Sequence, residues 1–109
     1  MEFRELTCEE FKKIEKKQKK YNFYQTVSWA NVKKTTGWES YYVGVFDGKK
    51  NLGIALLLAK KILNKKMFYI PRGPLLDYDN FSLLEFFFNN LKLFVKSKGG
   101  FTIKIDPYI

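Results

Sequence analysis

The chain has 109 residues, enough for one domain, and its 46% hydrophobic content, with eleven Phe and seven Tyr, marks a globular rather than a disordered chain. Twenty basic against eleven acidic residues give a formal charge of +9, which favours anionic partners (nucleic acid, phosphorylated metabolites or an anionic membrane surface) without choosing among them. With no histidine, a Ser-His-Asp triad is excluded within the chain and a metal site has little to draw on; the single Cys8 excludes an internal disulfide.

The segment from Leu6 to Tyr21 reads as a first helix. Thr7 and Glu10 have capping-box spacing, and Phe11, Ile14 and Tyr21 form a narrow apolar stripe. Glu9 and Glu10 stand near its start and Lys16, Lys17, Lys19 and Lys20 near its end, which complements the helix dipole. The lysine run reads as a solvated face, with RNA or membrane contact as the alternative. A short second helix follows, with Ser28 as a cap and Gly37 as the stop.

The stretch from Glu39 to Phe46 alternates as a strand, with Tyr41, Val43 and Val45 on one face. Asp47-Gly48 signals a hairpin turn, and Leu52 to Ile62 is its antiparallel partner, apolar enough to be buried on both faces. Lys66 to Ile70 is a third strand, ended by Pro71. A longer helix follows, with Ser82 and Glu85 as a capping box. Leu84, Phe87, Phe88, Leu91 and Phe94 or Val95 lie opposite a polar stripe of Glu85, Asn89, Lys92 and Lys96. Phe101 to Asp106 is a last strand, ended by Pro107. Hairpin strands followed by a helical crossover predict an α/β fold with a mixed sheet and flanking helices. The longest uncharged apolar stretch, Leu52 to Ala59, is far shorter than the roughly 20 residues of a membrane-spanning helix. The N-terminus has no signal-peptide pattern, and these features together favour the cytoplasm.

Chemistry concentrates at a few places. Pro71-Arg72-Gly73-Pro74 is a stiffened strand exit in which Gly73 supplies the unusual backbone angle; Arg72 either ties down a carbonyl or carboxylate or lines a ligand cleft. Lys33 and Lys34 fall near Trp29 and Trp38, as surface lysines resting on indoles or as a phosphate-binding point charge. Asp106, at a strand end, is either a turn starter or an acid facing a crevice. Asp77 and Asp79 read as helix-start residues rather than an acid–base pair. Cys8 lies near a helix start but lacks a histidine base to activate it.

Taken together, Gln25, Ser28-Trp29, Lys33, Tyr69 to Pro74 and Lys104 to Pro107 resemble, in order and spacing, the start of the FemABX family of peptidoglycan interpeptide-bridge aminoacyltransferases. The resemblance covers essentially the whole chain. It implies a GNAT-like (acyl-CoA N-acyltransferase-like) subdomain over residues 1–109, the N-terminal half of a two-subdomain enzyme whose second half is absent here. It also implies a reaction: an amino acid passes from aminoacyl-tRNA, the co-substrate, to the side-chain amine of a stem peptide in a precursor such as UDP-MurNAc-pentapeptide or lipid II. Neither metal nor other cofactor is required. Lys33 matches a residue contacting the precursor diphosphate, Asp106 an acid that orients or deprotonates the amine, and Arg72, Trp29 and Tyr69 fall in the matching substrate-binding motifs. The resemblance further implies that these residues alone are inactive, and that apolar surface meant for the second subdomain promotes self-association. Peripheral contact at the inner face of the membrane, through lysines, is a further expectation. An acetyl-CoA-dependent GNAT acetyltransferase and a small basic nucleic-acid-binding module are the competing readings.

Overall fold

A sheet with two apolar faces organises the chain. The computed structural model describes residues 1–18 and 21–107. Its elements are β1 (Glu2–Leu6), α1 (Cys8–Glu15), a 3-10 turn (Phe23–Gln25), α2 (Val27–Lys34), β2 (Glu39–Asp47), β3 (Lys50–Ile62), β4 (Lys65–Pro71), β5 (Leu75–Leu76), α3 (Phe81–Ser97) and β6 (Gly100–Asp106). Sheet order is β1-β2-β3-β4-β6, with β5 pairing β3. Every pairing is antiparallel except β4–β6, which the α3 crossover makes parallel. This is the expected α/β fold with a mixed sheet.

One face packs on α3. Val43, Val45, Ala55, Leu57, Phe68 and Ile70 from the strands meet Leu83, Phe87, Leu91 and Val95 from the helix. The four helical residues recur every fourth position, so they form a single row over the sheet. Each stabilises the fold by about 1.5–3 kcal/mol through burial of its apolar surface. The opposite face packs Ile54, Leu56 and Leu58 against Phe11 of α1 and Val27 and Ala30 of α2. The central strand β3 therefore has Ile54 through Ala59 fully buried, as its unbroken apolar run predicts.

Several local readings need correction. β1 was not expected: three of its five residues are charged, which suits an edge strand but hides its alternation. Phe3 faces the α3 side and Leu6 the other, while the Arg4 guanidinium lies 3.8 Å from the centre of the Phe46 ring. Helix α1 has the Thr7–Glu10 capping box but ends at Glu15, well short of Tyr21, which is exposed. Like-charged pairs at four-residue spacing, Lys12/Lys16 and Lys13/Lys17, oppose its continuation. Glu15 instead turns inward and accepts from Val27 N–H at 2.9 Å, at the start of α2. Lys19 and Lys20 lie outside the described residues. The cap of α2 is Thr26, not Ser28: its Oγ1 accepts from Trp29 N–H at 3.1 Å. The cap of α3 is Asn80, not Ser82, with Leu83 N–H donating to its side chain at 3.1 Å. Ser82 lies inside the helix, so it does not form the expected capping box with Glu85. The polar stripe of Glu85, Asn89, Lys92 and Lys96 is exposed, as expected.

Candidate substrate cleft

The parallel pair β4–β6 fixes where a cleft can form. Its carboxyl ends, Pro71 and Asp106, stand directly opposite each other. In open α/β sheets ligands bind outside such strand ends. Here α2 borders the same end, and a cavity of about 320 Å³ opens between them, lined by Tyr24, Trp29, Lys33, Tyr69, Pro71, Arg72 and Asp106. The five residues singled out from sequence thus share one cavity, although they come from α2, β4, the loop after it and β6. Lys34, also considered, is exposed and does not line it.

Each wall has an identifiable cause. On the α2 side, Tyr24 meets Trp29 edge-on, with centroids 4.9 Å apart and planes at 89°. The Lys33 ammonium lies 5.7 Å from the Trp29 ring centre and 5.3 Å from that of Trp38. Both readings of Lys33 therefore describe the same side chain: it rests against indoles and its charge borders the cavity. Lys60 lies 5.3 Å from the Trp38 ring centre, and Lys104 lies 5.7 Å from that of Tyr69, a lining residue of the cavity.

On the strand side, Arg72 Nε stands 3.8 Å from Asp106 Oδ2, in a half-exposed ion pair. The backbone adds a second tie, with Gly73 N–H donating to Asp106 C=O at 3.1 Å. The Tyr69 phenol is held above its ordinary pKa, first by burial and then by the Asp106 carboxylate, with Arg72 opposing. An acid, two cations, a neutral phenol and two aromatic rings thus converge. The arrangement can bind an anionic group and orient a polar one beside it.

The unusual backbone angle sits at Arg72, with φ of +52°, and not at Gly73 as the sequence suggested. A non-glycine residue in this region is uncommon and strained. Gly73 is required for a different reason. A β-carbon there would stand 2.7 Å from the Gln25 side chain. The Tyr78 hydroxyl closes the loop from behind, donating to Pro74 C=O at 2.6 Å. Asp77 and Asp79 form the expected turn into α3, with Asp79 N–H donating to Asp77 Oδ1 at 3.0 Å.

Two larger hollows, about 430 and 480 Å³, lie at α1 and the segment that follows it. The first is lined by residues such as Lys17, Asn51 and Asp77, the second by Glu9, Lys12 and Lys13 of α1 with Lys16 and Lys17 just after it. Neither combines aromatic rings with paired charges at strand ends. Sequence reasoning missed Tyr24 and the buried Gln25. Tyr24 precedes a recognised motif without periodicity to mark it, and Gln25 was noted only as a motif position.

Residues 6–109 match the FemAB family. The chain belongs to that family. It is 36% identical over 111 residues to the aminoacyltransferase FemA of Staphylococcus aureus strain MW2, a match that covers all of this chain and 26% of FemA. The fold superposes on the crystal structure of FemX with a TM-score of 0.86 and 32% identity, covering 100% of this chain and 28% of that one. A possible acetyltransferase from Clostridium difficile 630 matches with a TM-score of 0.61 and 12% identity over 96% of this chain and 78% of its own, a likeness of fold alone. The chain spans about a quarter of the length of its FemA and FemX relatives. Among the described residues, no helix is long and apolar enough to cross a membrane.

Proposed function

We propose that this chain is the precursor-binding part of an aminoacyltransferase that builds peptidoglycan interpeptide bridges. The observation that carries the reading is the convergence of Lys33, Trp29, Tyr69, Arg72 and Asp106 on one cavity, in a chain of the FemAB family. In this reading Lys33 neutralises the precursor diphosphate as a point charge. Trp29 and Tyr69 supply flat walls, and Asp106, steadied by Arg72, orients the incoming amine.

The chemistry is aminolysis. The neutral amine of the stem peptide adds to the ester carbonyl of aminoacyl-tRNA, the C–N bond forms, and the C–O bond to the tRNA hydroxyl breaks. The proton lost by the amine balances the one gained by the leaving oxygen. Asp106 is the acid in the cleft suited to receive that proton in passing, and the adjacent cations favour developing negative charge. No metal or other cofactor enters the scheme. The site of action is the cytoplasm, at the inner face of the membrane if the acceptor is lipid-linked. Transfer itself requires sequence beyond these 109 residues.

The acetyltransferase reading has the fold likeness in its favour but a poor phosphate site. The loop entering α3 holds Asp77 and Asp79 rather than a glycine-rich turn, and two carboxylates repel a pyrophosphate at a helix N-terminus. The nucleic-acid reading lacks an open aromatic sheet, because helices pack on both faces.

Calorimetric titration of the chain with UDP-MurNAc-pentapeptide tests the proposal. Saturable binding, lost in Lys33→Ala, is expected; an unchanged affinity in the variant removes Lys33 from the site. The chain mixed with precursor and aminoacyl-tRNA should give no transfer, and detectable product would refute the need for the remaining sequence.

A further inference from the structure

Gln25 is fully buried, yet the scheme above gives it no part. It lies where the sheet is interrupted. Strand β3 pairs with β4 no further back than Leu58 opposite Tyr69, and with β5 only from Ile54 opposite Leu75. Between these pairings this edge of β3 faces no strand among the described residues. The Gln25 carboxamide occupies that place. Leu56 N–H donates to its Oε1 at 2.8 Å, and its Nε2 donates to Leu56 C=O at 3.2 Å and to Pro71 C=O at 2.8 Å. A primary amide reproduces the donor and acceptor pair of a backbone residue, so it meets both backbone groups of Leu56 and the Pro71 carbonyl.

These contacts join the two walls of the cleft. Thr26, the next residue, caps the helix that carries Trp29 and Lys33. Pro71 precedes Arg72, and Gly73, which has no β-carbon to push the carboxamide away, is bonded to the Asp106 backbone. We propose that Gln25 is a positioning residue: its carboxamide replaces a missing strand residue, holds β4 apart from β3, and sets the Pro71–Pro74 loop at a fixed distance from α2. Its bearing on substrate rests on the precursor-site reading above; its bearing on cleft geometry does not.

The test is Gln25→Met, which keeps the volume and removes all three hydrogen bonds. In amide and indole NMR spectra of the chain, the Arg72, Gly73 and Asp106 amides and the Trp29 indole should shift, while Leu83, Phe87 and Leu91 of α3 stay in place. Shifts confined to Leu56 and its immediate neighbours would overturn the proposal. If Gln25→Met fails to fold, Gly73→Ala decides. Its added β-carbon presses on the carboxamide and should move the same cleft signals, and unmoved signals overturn the idea. Precursor affinity should fall about tenfold in Gln25→Met, the fold-change expected when a displaced Arg72 loop weakens one hydrogen bond between a charged cleft residue and the precursor. If the wild-type chain binds no precursor, the substrate reading fails, while the NMR comparison still decides the role of Gln25.

Discussion

Asp106→Asn separates the chemistry of the cleft from its architecture. The substitution removes a charge 3.8 Å from Arg72 Nε but leaves the backbone bond from Gly73 N–H to the Asp106 carbonyl. Side-chain exposures of 51% for Arg72 and 44% for Asp106 put the pair among solvent-screened ion pairs. Such pairs contribute about 0.2–1 kcal/mol, so unfolding by urea should show a loss of less than about 1 kcal/mol. The titration of Tyr69 should change more visibly. The Asp106 charge and hydrogen bond both raise its pKa, whereas Arg72 lowers it. Neutralising Asp106 removes its charge and leaves the guanidinium with only burial opposing it. The Tyr69 pKa, followed by NMR of the ring signals, should therefore fall relative to wild type. Burial, the largest cause of the shift, remains. A stability loss above about 2 kcal/mol, beyond what a screened pair supplies, would refute this assignment of the pair. An unmoved or rising Tyr69 pKa would refute the contact between phenol and carboxylate.

Other expectations follow from packing and burial. Phe87 is fully buried, with ring centroids 5.8 Å from Phe3 and 5.2 Å from Phe88, so Phe87→Ala should cost about 3–5 kcal/mol in denaturant unfolding; a loss under about 1 kcal/mol would contradict the α3 packing. The Tyr42 phenol is pushed up to about 12, mainly by burial, so its contribution is intact below pH 10 and is lost as pH rises from 10 towards 12. Over that window the stability of wild type should fall relative to Tyr42→Phe, and parallel pH profiles would contradict the shift. Phe101 is half-exposed on β6, which pairs only with β4 among the described residues, and Ile62 and Leu63 are exposed nearby. Phe101→Lys should reduce self-association in sedimentation equilibrium; equal association by both proteins would remove this patch as its cause.

The legible parts of the fold were those with long, consistent patterns. Helix α3 has apolar residues at helical spacing, Phe87, Leu91 and Val95 among them, although Leu83 rather than the expected Leu84 starts the buried row, and β3 has an unbroken apolar run. Both signals survive any local ambiguity. Caps were harder. Thr26 and Ser28, or Asn80 and Ser82, are chemically equivalent acceptors two residues apart, and only tertiary packing selects between them. Strand β1 was hidden by Glu2, Arg4 and Glu5, whose charges suit a solvent-facing edge. The lysine run after Glu15 supported a longer helix only while like-charge repulsion was ignored.

The cleft divides in the same way. Arg72, Lys33 and Asp106 stood out because each residue type suits a ligand site at its place in the chain. Their convergence depends on the parallel register that sets Pro71 against Asp106 and on α2 packing beside that end. No local pattern encodes either. Gln25 was least legible, since its bonds reach Leu56 and Pro71 across the sheet. The motif glycine shows the same limit: Gly73 is required by the Gln25 side chain next to it, not by its own backbone angle.

The most direct test of the central claim is to map where the precursor binds. Isotope-labelled chain would be titrated with UDP-MurNAc-pentapeptide and followed by amide and indole NMR. The account predicts saturable shifts at Trp29, Lys33, Tyr69, Arg72 and Asp106, with α1 unaffected. Shifts centred on the α1 lysines, or no saturable shifts from the folded chain, would contradict it.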